Sequence, residues 1–114
     1  MNTSDRELLE LAAKAAGIKI RWQSYGNYFV ICDIDDEGIE AVWNPILDDG
    51  DALRLAIKLN MGISIPVMAA KYARVDVITF RNSGVNVIEA CKDDPCAATR
   101  LAIVRAAAEI ERSM

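Results

Sequence analysis

Apolar and polar positions follow two rhythms along this chain, and the points where one gives way to the other mark its elements. Leu8, Leu11, Ala12 and Ala15 recur at helical spacing. Ser4 with Glu7 three residues on forms a capping box ahead of them, and Gly17 supplies a C-terminal stop, so a first helix is predicted between these signals. From Ile18 the period becomes two: Ile18, Ile20 and Trp22 point one way, Lys19, Arg21 and Gln23 the other. Tyr25-Gly26-Asn27 turns the chain back. The run from Tyr28 to Asp33 is rich in aromatic and β-branched residues, which predicts a hairpin ended by the polar tract Asp35-Asp36-Glu37-Gly38.

The central stretch reads as an aromatic residue, an X-Pro turn and an acid-capped helix: Trp43-Asn44-Pro45, two apolar residues, Asp48-Asp49-Gly50-Asp51, then an amphipathic segment to Leu59. Asp carboxylates beside a first turn accept from its unpaired N–H groups and complement the positive end of the dipole. Leu55, Ala56 and Leu59 form the expected buried side, Arg54 and Lys58 the water side, and Asn60 with Gly62 the close. Ile63 to Val67 alternates, but Pro66 has no N–H to donate, which predicts an edge strand or a bulge. Strands are expected from Val75 to Phe80 and from Val85 to Ala90, joined by Asn82-Ser83-Gly84.

The last helix has Asp94 as N-cap and Pro95 at its first position and should run to about Glu111. On a helical wheel Ala97, Leu101, Val104 and Ala108 form one apolar stripe and Cys96, Ile103, Ala107 and Ile110 another, with Arg100 and Glu111 between them. Such a helix wants two neighbours: the sheet, and either the first helix or a second protomer. The resulting order, α-β-β-α-β-β-β-α, places the chain in the α+β class, a mainly antiparallel sheet sandwiched with helices in one domain over residues 1–114.

Composition then narrows the chemistry. A net charge of −4 and a pI near 4.8 argue against nucleic acid, whose binding depends on Lys and Arg neutralising phosphates. No run reaches the roughly eighteen apolar residues that a membrane span requires, and Asp5, Arg6, Glu7 and Glu10 interrupt any secretory core, so a cytoplasmic location is expected. The sequence has no histidine, which removes the commonest general base and the Ser-His and Cys-His nucleophile systems. Cys32, Cys91 and Cys96 match no zinc spacing and fit reduced thiols. Cys96, in the first turn of the last helix, is the one candidate thiol nucleophile; its alternative is a small residue packed under the sheet. No Gly-x-Gly-x-x-Gly or phosphate-binding loop occurs. No catalytic residue, metal ligand or cofactor is therefore expected.

Acidity is the second feature. Asp33, Asp35, Asp36, Glu37, Glu40, Asp48, Asp49 and Asp51 fall in one stretch without a Lys or Arg. Asp33 to Gly38 resembles the start of a calcium loop, but position eight is Glu40, position twelve is Asn44 and a strand pattern precedes it. Two readings remain: a surface for a basic partner, or a solvated loop with helix-capping aspartates. Trp43 stands likewise between a plug at the sheet end and an exposed anchor. The candidate partner-binding residues are Asp35, Asp36, Glu37, Glu40, Trp43 and Asp48.

Three segments resemble the phage ABA-sandwich domain family of small bacteriophage and prophage proteins: Asp5 to Gly17, Trp43-Asn44-Pro45 with Asp48 to Ala56, and Pro95 to Ala108. The motifs carry no established activity, so no residue role transfers. The resemblance implies a fold and an origin, a phage-encoded accessory protein made inside an infected bacterium. The expected function is non-catalytic binding to a host or defence protein, of the anti-CRISPR or host-takeover type. The alternative is a small-ligand, nucleotide-like sequestering domain. Self-association as a homodimer is expected through the doubly apolar last helix.

Overall fold

The computed structural model describes residues 3–32, 41–65, 74–79 and 84–113. Among these residues three helices and six strands follow in the order α1 (Thr3–Ala16), β1 (Ile20–Gln23), β2 (Tyr28–Ile31), β3 (Ala41–Trp43), α2 (Asp49–Lys58), β4 (Gly62–Ser64), β5 (Arg74–Ile78), β6 (Asn86–Ala90) and α3 (Pro95–Arg112). The class is α+β, and the strands form two antiparallel sheets, β1-β2-β3 and β4-β5-β6. Among the described residues no helix is long and apolar enough to cross a membrane.

The helix signals act as local chemistry dictates, with one exception. Asp48 and Asp94 take extended backbone angles, and their side chains accept from Asp51 N–H at 2.8 Å and Ala97 N–H at 3.0 Å. Gly17 sits at φ +70°, where the Gly17 N–H donates to Lys14 O and the Ile18 N–H to Ala13 O. That pair of bonds is a Schellman ending, and Asn60 at φ 53° ends α2 in the same way. The exception is Ser4: α1 already includes Thr3, so Ser4 lies inside the first turn and is not its N-cap.

A strand absent from the expected order, β3, completes the first sheet. Phe29 pairs with Trp22 on one side and Trp43 on the other, so three aromatic residues form one cross-strand row. The Trp22 and Phe29 rings meet edge to face at 4.9 Å, and the Arg6 guanidinium lies 4.0 Å above Trp22. Trp22 is thus half-buried and closed off by a cation, while Phe29 and Trp43 are buried. In the second sheet Val75 and Val77 are fully buried and Ile63, Val87 and Glu89 share their face, with Glu89 ion-paired to Arg105 of α3. Thr79 and Val85 close the hairpin through Thr79 N–H to Val85 O and Val85 N–H to Thr79 Oγ1. The expected continuations into Asp33, Pro66-Val67, Phe80 and Asn82-Ser83 lie outside the described residues.

The core is organised around α3. Leu9, Ala12, Ala13 and Ala16 of α1 share one buried cluster with Leu55 of α2, Val75 and Val77 of β5, and Ala102, Ile103 and Ala106 of α3. Alanines on both α1 and α3 allow the helix axes to approach closely. α3 packs against α1, α2, β5 and β6 at once, and Ala98, Ala102, Ile103, Val104, Ala106, Ala107, Ala108 and Ile110 are all buried. α1, α2 and the second sheet thus cover most of both apolar stripes of α3 within one chain, while Cys96 at its start stays exposed and Ala97 and Leu101 half-buried.

Candidate functional site

The turn between β3 and α2 is built by its own polar side chains. Asn44 Oδ1 accepts from Ile46 N–H at 3.1 Å and Leu47 N–H at 3.3 Å, an Asx arrangement around buried Pro45. Asp51 reaches back from the helix: one oxygen accepts from Asn44 N–H at 2.9 Å and the other from Arg54 at 2.8 Å. Arg100 then clasps this turn from α3. Its Nε–H donates to Ile46 O at 2.7 Å and a terminal nitrogen to Asp49 Oδ1 at 2.6 Å, joining positions 54 and 51 residues apart in sequence.

Against this clasp lies a groove of about 490 Å³ between the start of α2, the start of α3 and the end of β4. Ala52, Leu53, Ile63, Ile65, Cys96 and Ile103 line its wall, with no aromatic ring among the described residues, and Arg100 and Asp49 add polar groups. Within β4-β5-β6 order, β4 is an edge strand, so sheet coverage of α3 stops at Ile63 and the groove opens there. Leu53 is 56% exposed, Ile65 61% and Ile57, one turn beyond Leu53 on α2, 66%. The apolar surface thus continues outside the groove along the solvent side of α2.

The residues singled out from the sequence fare unevenly. Asp35, Asp36, Glu37 and Glu40 lie outside the described residues, as does most of the calcium-like loop. Trp43 is 3% exposed, because alternation along β3 turns its ring to the core and Val42 to solvent; it is the plug, and the anchor reading is corrected. Asp48 is the N-cap of α2, and its carboxylate is engaged with the Asp51 N–H and lies 4.0 Å from Arg54. Cys96 is exposed beside the groove while Cys91 is buried, so the expectation of Cys96 packed under the sheet is also corrected. Among the described residues no group of three or more His, Cys, Asp or Glu side chains is placed to hold a metal ion.

The residues that sequence reasoning missed are Arg100, Leu53, Ile57 and Ile65. Leu53 and Ile57 did carry a signal: both are large and apolar, yet both fall off the Leu55-Ala56-Leu59 stripe that packs inward. Arg100 carried none, since only the tertiary approach of α3 to the turn brings its guanidinium to Ile46. No protein-family model, curated protein or solved structure matches this chain.

Proposed function

We propose that this chain is a non-catalytic binding protein of phage origin that takes aliphatic side chains of a host or defence protein into the groove between α2, α3 and β4. The observation that carries this reading is the groove with its exposed apolar border, Leu53, Ile57 and Ile65. Contiguous exposed apolar surface rimmed by polar residues is characteristic of protein interaction sites. The likeness of the opening, central and closing segments to phage ABA-sandwich proteins supports the origin and the kind of partner.

A second reading, a small ligand, is favoured by the volume, which falls in the range of ligand pockets. The wall suits an aliphatic molecule rather than a nucleotide. Among the described residues it has no ring on which a base would stack, and the Arg100 guanidinium is already bonded to Ile46 O and Asp49. Affinity capture from infected and uninfected host lysates, run in parallel with wild type and Leu53→Asp at low and high salt, tests the proposal. The expected result is one protein held by wild type at both salt levels and lost from the variant. Capture that survives Leu53→Asp and is eluted by salt would move the site to exposed acids, since such contacts are screened. A co-purifying aliphatic molecule with no protein would establish the second reading.

A further inference from the structure

The outer face of the β4-β5-β6 sheet carries charges with no ion-pair partner among the described residues. Val75 and Val77 point into the core, so Arg74, Asp76 and Ile78 of β5 point away from it, beside Asn86, Ile88 and Ala90 of β6. Asp76 Oδ1 is closed off from solvent and accepts no hydrogen bond. Arg74 is exposed, and among the described residues it has no ion-pair partner, although Asp76 is only two positions away on the same face. Ile78 and Ile88 are 39% and 51% exposed on that face. A cation and an anion left without an ion-pair partner among the described residues, beside exposed isoleucines on one sheet face, fit a partner surface of complementary charge.

The register shows what would supply it. Arg74 pairs with Ala90 and Asp76 with Ile88, so one cross-strand row holds a cation beside a small residue and the next an anion beside a large one. A half-turn about an axis lying across the strands, midway between these rows, sets each row on the other row of a second copy. Arg74 then meets Asp76 and Ala90 meets Ile88, each twice, as an isologous interface requires. We propose that this face is a self-association surface, on which two copies stack their second sheets through reciprocal Arg74–Asp76 pairs with Ile88 seated over Ala90. A foreign partner would need only a base; the match of size as well as charge within the face is what selects a second copy. Two three-stranded faces bury less than a standard interface, so the dimer is weak and concentration-dependent. The groove lies on the opposite side of the sheet, and this proposal does not depend on it.

Sedimentation equilibrium of the full chain from micromolar to millimolar concentration tests it, with circular dichroism confirming that each variant is folded. Wild type should show a reversible monomer–dimer equilibrium. Arg74→Asp and Asp76→Arg should each weaken it by about tenfold or more through like-charge contact, the double exchange should restore it, and Ile88→Asp should abolish it. Should Asp76→Arg fail to fold, Arg74→Asp and Ile88→Asp, both at exposed positions, decide the matter alone. A wild type that stays monomeric throughout, or Arg74→Asp and Ile88→Asp variants that dimerise as wild type does, would overturn the proposal. A folded double exchange that stays monomeric would overturn the reciprocal pairing that defines it.

Discussion

Replacing Arg100 by Met separates two interactions that look equal in the structure and should differ in worth. One is the Nε–H bond to Ile46 O at 2.7 Å, the other the ion pair to Asp49 at 2.6 Å. The Asp49 side chain is 74% exposed and that of Arg100 15%, so solvent screens the pair from one side and it contributes about 0.2–1 kcal/mol. The Ile46 carbonyl belongs to a half-buried turn, and stripping it of its donor costs about 1–3 kcal/mol. Met preserves most of the buried aliphatic stem. Arg100→Met should therefore lose about 1.2–4 kcal/mol in total. Asp49→Asn, which removes only the ion pair and a first-turn dipole contribution, should lose about 0.5–2 kcal/mol, the smaller of the two losses. Urea unfolding followed by tryptophan fluorescence reads both as midpoint shifts at unchanged slope. Equal losses from the two variants would refute the reasoning, because the exposed ion pair would then hold α3 to the turn. A loss below about 0.5 kcal/mol for Arg100→Met would show that the carbonyl bond holds nothing.

Three further outcomes are expected. Asp48→Ala should cost about 1 kcal/mol in the same urea assay and Asp48→Asn almost nothing, since the amide oxygen still accepts from the Asp51 N–H; equal losses would mean that charge, not capping, is the residue's contribution. Ala107→Leu, at a fully buried position of α3, should lower stability by about 1–3 kcal/mol through overpacking, whereas a neutral result would mean that this side of α3 is open after all. Titration of the native protein with a thiol reagent should modify exposed Cys32 and Cys96 rapidly and buried Cys91 only on unfolding; rapid reaction at all three would contradict the burial of Cys91.

The structure was legible in the sequence wherever a signal and its response lie within a few residues of each other. Asp94 with Pro95, the aspartates at Asp48 and Asp51, and Gly17 announced helix ends because a cap bonds to an N–H or a carbonyl three to five residues away. Alternation announced β1 and β4 for the same reason, aromatic and β-branched content announced β2, and β5 and β6 read as the arms of a hairpin. β3 escaped because three residues are too few to show a period, and because Trp43 was read with the turn that follows it. The groove escaped because it is made of residues from three elements, none of which is unusual alone.

The amino-acid sequence by itself determined the α+β class, the helix caps, the Asn44-Pro45 turn and the absence of histidine chemistry, since these depend on residue type and on neighbours along the chain. Tertiary structure alone decided that Trp43 is covered, that Cys91 and not Cys96 is the buried thiol, that α3 finds its neighbours within its own chain, and that Arg100 closes on Ile46. It also decided which apolar residues stay outside: Leu53 and Ile65 lie on either side of a space that β4, as an edge strand, leaves uncovered. The difference is one of range. A capping bond is formed by groups that the chain already holds together, whereas the covering of a side chain depends on how distant elements come to rest against each other.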